Sequence, residues 1–358
     1  MDRRSGLLTR TRPARPARVR PRVGCVGTGW IGRHRLAALA ASRLVEVAGI
    51  AEPSLDNARQ ARALAPDATL VAGLDELLEL DVDGVVIATP SALHAPQAIR
   101  ALERGCAVFC QKPLGRTARE TGAVIDAARV ADCLVAVDLS YRHVTGMRRI
   151  RDLVREGALG DVYAVDLTFH NAYGPERSWY YDVRLSGGGC LMDLGIHLVD
   201  LGLWVLGFPR ATAVSGHLVA RDGLPGGVED YAAATVRTEA GTVVRFACSW
   251  RLPVGRDAVI EAAVYGTRGG AALRNIDGSF HDFVAERFTG TARQPLAEPP
   301  DAWGERAIVR WAEALVAGAA YDPEIERLVD VAAILDEIYA GAGVLRWDGG
   351  AHREGAGG

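Results

Sequence analysis

A short apolar strand, Arg22-Val-Gly-Cys-Val26, runs straight into Gly27-Thr28-Gly29-Trp30-Ile31-Gly32, and a helix-like stretch continues to Ala40. A second strand, from Leu44, ends in the acid Glu52, twenty residues beyond the last of those glycines. Alone, G-x-G-x-x-G is a weak signal. Following a strand, opening a helix and answered by a carboxylate at that distance, it has the full context of a dinucleotide-binding turn. The glycines let the backbone approach a pyrophosphate, which sits on the amino terminus of the helix. Glu52 is expected to accept hydrogen bonds from the adenosine ribose. Pro53 and Ser54 follow it, with no arginine alongside to hold a 2′-phosphate, so NAD is favoured over NADP. The alternative is a tight strand-to-helix turn with no ligand.

The alternation continues. Helix-like segments at 55–64, 95–104 and 118–130 lie between apolar runs at 69–72, 84–90, 107–110 and 134–139. Continuous apolar strands between amphipathic helices indicate a parallel sheet covered on both faces. After about residue 145 the pattern changes. Residues 163–170 alternate, with Tyr163, Val165, Leu167 and Phe169 on one face. Residues 231–237 and 242–250 read as a hairpin about Glu239-Ala-Gly241, runs at 258–265 and 271–276 extend the series, and helices follow at 305–316 and 324–339. The expected organisation is α/β: a doubly wound parallel sheet over 22–143, then an α+β domain with a large, mostly antiparallel open sheet over 144–348. An open sheet face should expose apolar side chains unless another subunit covers it, so a homodimer or homotetramer is expected.

A length of 358 residues suits two domains. Residues 1–22 carry a net charge of +7 and the rest −10, and an acidic body argues against a nucleic-acid groove. Residues 1–21 read as a disordered basic tail. Arg3-Arg4 hints at a twin-arginine signal, but no apolar region follows before Pro13 and Pro16. Residues 349–358 read as a flexible end. No run of about 18 apolar residues is evident, so no membrane span is expected. The six cysteines form no C-x-x-C pair and read as reduced, mostly buried thiols of a cytoplasmic protein.

Of the 41 basic residues only Lys112 is a lysine. Nucleotide bias explains the arginines, and it makes the exception informative. An amine can lose its proton when partly buried, whereas a guanidinium cannot. Between the two halves lies Ser186-Gly-Gly-Gly-Cys-Leu-Met-Asp193-Leu-Gly-Ile-His197-Leu-Val-Asp200. On a helix, i, i+4, i+7 spacing puts Asp193, His197 and Asp200 on one face. That is an oriented acid–base pair, or else a buried and satisfied one, or a first-turn cap by Asp193. Asp193, His197 and His170 have the chemistry of metal ligands, but a lysine amine is a poor neighbour for a cation, and no metal is expected.

The glycine motif, Gln111-Lys112-Pro113 and Gly-Gly-Gly…Asp193-x-x-x-His197, in that order and spacing, resemble the glucose–fructose oxidoreductase, inositol dehydrogenase and MocA family, over about residues 22–345. The resemblance implies a Rossmann domain followed by a mostly antiparallel substrate domain, with catalysis in the cleft. It assigns Lys112, Asp193 and His197 as catalytic, and Thr89, Pro90, His94 and Gln111 as cofactor contacts beside the glycine loop and Glu52. The family more often has Glu at the position of Gln111, which is associated with the nicotinamide ribose. Arg142 is expected to orient substrate hydroxyls, and His170-Asn171 resembles a substrate-binding segment. Aromatics in 173–189 (Trp179, Tyr180, Tyr181) suit either stacking on a sugar ring or a dimer interface. The implied activity is NAD-dependent oxidation of a secondary hydroxyl of a sugar, sugar acid, inositol or related polyol, or reduction of the ketone. Related alternatives are glycoside hydrolysis through transient oxidation and a non-catalytic sugar-sensing regulator. Retention of the sole lysine beside Asp193 and His197 argues against the regulator.

Overall fold

In the computed structural model residues 19–221 and 225–347 are described, so most of the basic tail and all of the 349–358 end fall outside the described residues. The first sheet is built from β1 (Arg22–Val26), β2 (Glu46–Ala51), β3 (Thr69–Val71), β4 (Gly84–Ile87), β5 (Ala107–Cys110) and β6 (Val135–Val137). Its order is β3-β2-β1-β4-β5-β6, parallel throughout. The strands are near-continuous apolar runs because helices cover both faces: α1 (Trp30–Ser42), α2 (Leu55–Leu64), α3 (Leu74–Glu79), α4 (His94–Glu103) and α5 (Ala118–Ala131). Ser54 caps α2 and Thr117 caps α5 through side-chain oxygens. Gly29, at the start of α1, offers no such cap. The strand order reverses between β1 and β4, which opens a crevice at the carboxyl ends of the strands.

The second sheet has nine strands, in the order β14-β13-β12-β11-β7-β10-β9-β8-β15. They are β7 (Val162–Asn171), β8 (Ala211–Arg221), β9 (Tyr231–Thr238), β10 (Val243–Ser249), β11 (Ala258–Gly266), β12 (Gly269–Asn275), β13 (Phe283–Thr289), β14 (Ala292–Ala297) and β15 (Val344–Trp347). Pairing is antiparallel except between β7 and β10 and between β8 and β15. One face is buried beneath α6 (Thr145–Arg155), α8 (Ile196–Val205) and α10 (Arg327–Gly341), with Val165, Leu167, Phe169, Phe246 and Leu201 in one apolar cluster. Tyr163, expected on that face, stands at the strand's entry and is 58% exposed.

Between the sheets run α7 (Val183–Ser186), a π-helical turn (Leu191–Gly195) and α8. Contrary to expectation, 183–205 is long and apolar enough to span a membrane. Apart from the exposed residues 183–185 it lies inside the fold, with α8 wholly buried. The last helices return to the first domain. Trp311, on α9 (Arg306–Val316), packs on Phe109, and Gly84 leaves room for it: a Cβ there would stand 2.8 Å from the indole.

Candidate active site

The glycine loop closes the β1–α1 turn as the sequence implies. Gly27 has φ +79°, and a Cβ on Gly32 would stand 2.2 Å from the Gly27 carbonyl. Both must be glycine for the helix to start so close to the strand. Gly29 differs: a Cβ there would meet no atom within 4 Å. Open space at Gly29 and uncapped N–H groups on α1 together fit a pyrophosphate. Glu52 lies beside the loop, accepting from the Thr28 N–H at 2.6 Å and the Ser54 N–H at 2.9 Å. An arginine does reach this region. Arg33 Nη1 donates to the Thr28 carbonyl at 2.9 Å and to Asn57 Oδ1 at 2.8 Å, and Asn57 in turn donates to Glu52. Reading only the residues that follow Glu52 missed it, because helix α1 brings it across from the glycine loop. Trp30 and Ile31 begin α1, with Trp30 exposed and packed on His34.

Lys112 and the π turn meet at the domain boundary. Lys112 Nζ donates to Asp193 twice, to the backbone carbonyl at 2.6 Å and to carboxylate Oδ1 at 2.5 Å. The buried Trp250 indole N–H holds Oδ2 at 3.1 Å. A wide π turn shifts the helical register, and such turns often mark functional sites. Here it aims Asp193 at Lys112, so the i, i+4 pair with His197 does not form. His197 packs edge-on to Tyr141 (ring centroids 5.0 Å), with Phe169 at 6.4 Å, and makes no hydrogen bond among the described residues. Burial, with the Lys112 charge nearby, holds its pKa well below the ordinary histidine value. It is a neutral base. Tyr141 in turn packs on Trp303 and Phe283, so the histidine sits in an aromatic cup. Trp179 and Tyr180 stack at 3.8 Å and line a recess with Ser91, Lys112, Gly189 and Asp193.

Glycines 188 and 189 allow this approach. A Cβ on Gly189 would stand 1.9 Å from the Glu229 carbonyl oxygen. The Glu229 carboxylate, buried, accepts from the N–H groups of Gly189 and Leu191 and from the Tyr339 hydroxyl. This clamp fixes the entry to the π turn.

Two expected contacts, His94 and His170, are corrected, and a third, Arg142, is partly engaged within the chain. His94 is buried, with both ring nitrogens 2.7 Å from carbonyl oxygens, of Thr89 and Pro113. It braces β4 against the Lys112 loop and has no nitrogen left for a cofactor. Arg142 is anchored by a two-pronged pair with the buried Asp200, Nε to Oδ2 at 2.7 Å, which spends two of its five N–H donors and leaves Nη1 without a partner among the described residues. His170 faces away from the site. It bonds Ser249 Oγ and stacks on Tyr231, on the face opposite Phe169, because neighbouring strand residues point to opposite faces. Asn171 shares the Phe169 face, with Oδ1 sealed and unpartnered. Thr89 and Pro90 follow β4 at the crevice, where Thr89 Oγ1 donates to Gln97. Gln111, beside Lys112, donates its amide to Asp138. Sequence reading did not find Trp250, Trp303, Phe283 or Glu229, which lie far along the chain and carry no local motif.

Two sequence profiles of one family together match more than half of the chain. The oxidoreductase family with NAD-binding Rossmann fold matches residues 21–139, and the GFO/IDH/MocA C-terminal domain matches 147–272. The chain belongs to the GFO/IDH/MocA family. It is therefore an oxidoreductase with an NAD(P)-binding Rossmann domain. D-glucoside 3-dehydrogenase of Escherichia coli K12 is 27% identical over 271 residues, covering 70% of this chain and 76% of that one. Two further curated relatives are matched over little more than half their length. The fold is that of KijD10, a 3-ketoreductase from Actinomadura kijaniata solved with NADP and TDP-benzene. Its TM-score is 0.81 at 22% identity, covering 92% of this chain and 99% of that one. GenD2 from gentamicin A biosynthesis, solved with NAD, gives 0.77 at 25% identity over 92% and 97%. The curated relatives are thus sugar-related oxidoreductases, and chains of this fold have been solved with NADP and with NAD.

Proposed function

We propose that the chain is an NAD-dependent dehydrogenase acting on a secondary hydroxyl of a sugar, sugar acid, inositol or sugar-derived polyol, or on the corresponding ketone in reverse. One observation carries this reading: the sole lysine, aimed by Asp193, stands with a neutral histidine in an aromatic cup beside the dinucleotide crevice. Gly27, Gly29, Gly32, the start of α1 and Glu52 would hold the nucleotide, with Thr89, Pro90 and Gln111 along its path. When bound, it supplies hydride chemistry that no side chain offers.

The residues of the chain do the rest. His197 takes the hydroxyl proton, as its lowered pKa keeps it unprotonated at neutral pH. Lys112 has three N–H donors and spends two on Asp193; the third donates to the reacting oxygen and stabilises its developing charge. Asp193 aims the lysine, not the histidine as its helical spacing suggested. Trp179 and Tyr180 offer an aromatic surface to a sugar ring.

Glu52 supports NAD over NADP by repelling a 2′-phosphate, with Arg33 two hydrogen bonds away through Asn57 as the opposing influence. The test is a panel of sugars, sugar acids and inositols with NAD and with NADP, followed by reduced-nucleotide absorbance. Substrate-dependent NADH formation, with NADP weaker, is expected. Free sugar released from a glycoside without net NADH would replace this reading with the hydrolytic one.

A further inference from the structure

Asp138 follows β6 and is 2% exposed, yet its carboxylate is only half satisfied. Oδ2 receives Arg35 Nε at 2.5 Å and the side-chain amide of Gln111; Oδ1 is sealed from solvent with no partner among the described residues. Arg35 lies on α1, one turn past the glycine loop, and is 7% exposed. Gln111 stands between β5 and Lys112, where the crevice meets the catalytic groups. A carboxylate can only accept, so the Gln111 edge facing Asp138 must be its NH2. Its carbonyl oxygen is then left over. That oxygen bonds to nothing among the described residues and is absent from the sealed polar atoms, so it remains reachable.

We propose that the buried Arg35–Asp138 pair is a positioning device for the cofactor: it takes the Gln111 amide and so presents the Gln111 carbonyl oxygen as a fixed acceptor for a ribose hydroxyl at the lysine end of the crevice. Asp138 and Arg35 act only through Gln111. The negative charge sits one layer behind the cofactor, neutralised by a guanidinium, and the group that faces the cofactor is uncharged. A glutamate at 111 would lose the donor and set two carboxylates against each other in a closed space, one of them already short of partners. This accounts for a glutamine where the family more often has glutamate.

The inference rests on the NAD(P)-binding assignment of the first domain and not on any substrate. It is tested by titration calorimetry of NAD with full-length protein, alongside thermal melting. Gln111→Glu should weaken NAD binding at least tenfold. Asp138→Asn in that background restores a donor between Arg35 and residue 111 and should recover affinity to within about threefold of wild type. A Gln111→Glu protein that folds only when Asp138→Asn is present supports the same opposition of charges. Gln111→Ala, which adds no charge, should lose affinity about fivefold or more while melting within a few degrees of wild type, and it decides the matter if both glutamate variants fail to fold. Unchanged NAD affinity in Gln111→Ala or Gln111→Glu would overturn the proposal, as would a folded double variant no better than Gln111→Glu. NADH formation from substrates plays no part, so failure here leaves the dehydrogenase reading standing.

Discussion

Lys112 is where composition and geometry coincide. In a chain whose other 40 basic residues are arginine, Lys112→Arg is the change its own bias favours. A guanidinium is larger and planar, and it would push Asp193 or the reacting oxygen out of place. With Nζ already within 2.6 Å of two Asp193 oxygens there is no slack to absorb it. Turnover should fall about 10²- to 10⁴-fold, with NAD affinity little changed. Comparing kcat and NAD titration for the two proteins checks this, and a variant within a few-fold of wild-type kcat would show the amine to be dispensable. His197 makes a second test. Protonation removes the base, and its lowered pKa postpones that event, so kcat/KM should stay level as pH falls through 6.5 and decline only well below. A limb centred near the free histidine value would mean that His197 is more hydrated than the fold shows. Lys112, Asp193 and His197 stand out in the sequence because each belongs to a spaced motif, and the fold brings Lys112 against Asp193. His94 and His170 depart from expectation because sequence cannot show that a polar group is already spent on Pro113 or Ser249.

Elements read well where one physical pattern dominated. The parallel strands were visible as apolar runs, and α2, capped by Ser54, begins and ends where the sequence placed it. The π turn was not visible. It depends on Glu229 clamping the glycine run from 40 residues away, so no local periodicity announces it. Strands β8, β13 and β14 were also unread. Their alternation is blurred by small or polar residues that stay partly exposed at the sheet's flanks. The β1–α1 turn separates folding from binding in a testable way. Gly32→Ala drives a Cβ to 2.2 Å from backbone oxygen and should cost about 1–3 kcal/mol of stability. Gly29→Ala meets nothing in the chain, so it should melt like wild type while weakening NAD binding. Thermal melts with NAD titrations distinguish them. A Gly29→Ala protein with unaltered affinity would show that the pyrophosphate lies elsewhere.

At the scale of the whole molecule, the nine-stranded sheet poses the question of what covers its outer face. Helices α6, α8 and α10 bury the inner face, and among the described residues no helix covers the other. The sequence led us to expect apolar side chains there. Near its middle the register shows small ones instead, with Ala164 and Thr168 on β7, Ala247 on β10, and Ala233 and Thr235 on β9 in neighbouring positions, while Val243 stands at one end and the His170–Tyr231 stack at the other, over the buried Ser249. Asp166 and Arg245 form an ion pair across the same surface at 2.9 Å. The middle of this surface has too little apolar bulk to need cover on hydrophobic grounds alone. Its low relief suits a second sheet, since sheets stacked face to face approach to about 10 Å and small residues let them do so. A twofold axis would set the same patch against itself, pairing Arg245 of one copy with carboxylates of the other. We therefore expect a homodimer, or a homotetramer built from it, through this face. Light scattering at micromolar concentration should give at least twice the mass of one chain. Ala247→Glu, which places a charge near the centre of the face without entering the core, should lower that mass toward a single chain and leave the melting of the NAD-binding domain largely unchanged. If wild type already has the mass of one chain, the sheet face is open in solution; if Ala247→Glu assembles like wild type, the contact lies on another surface.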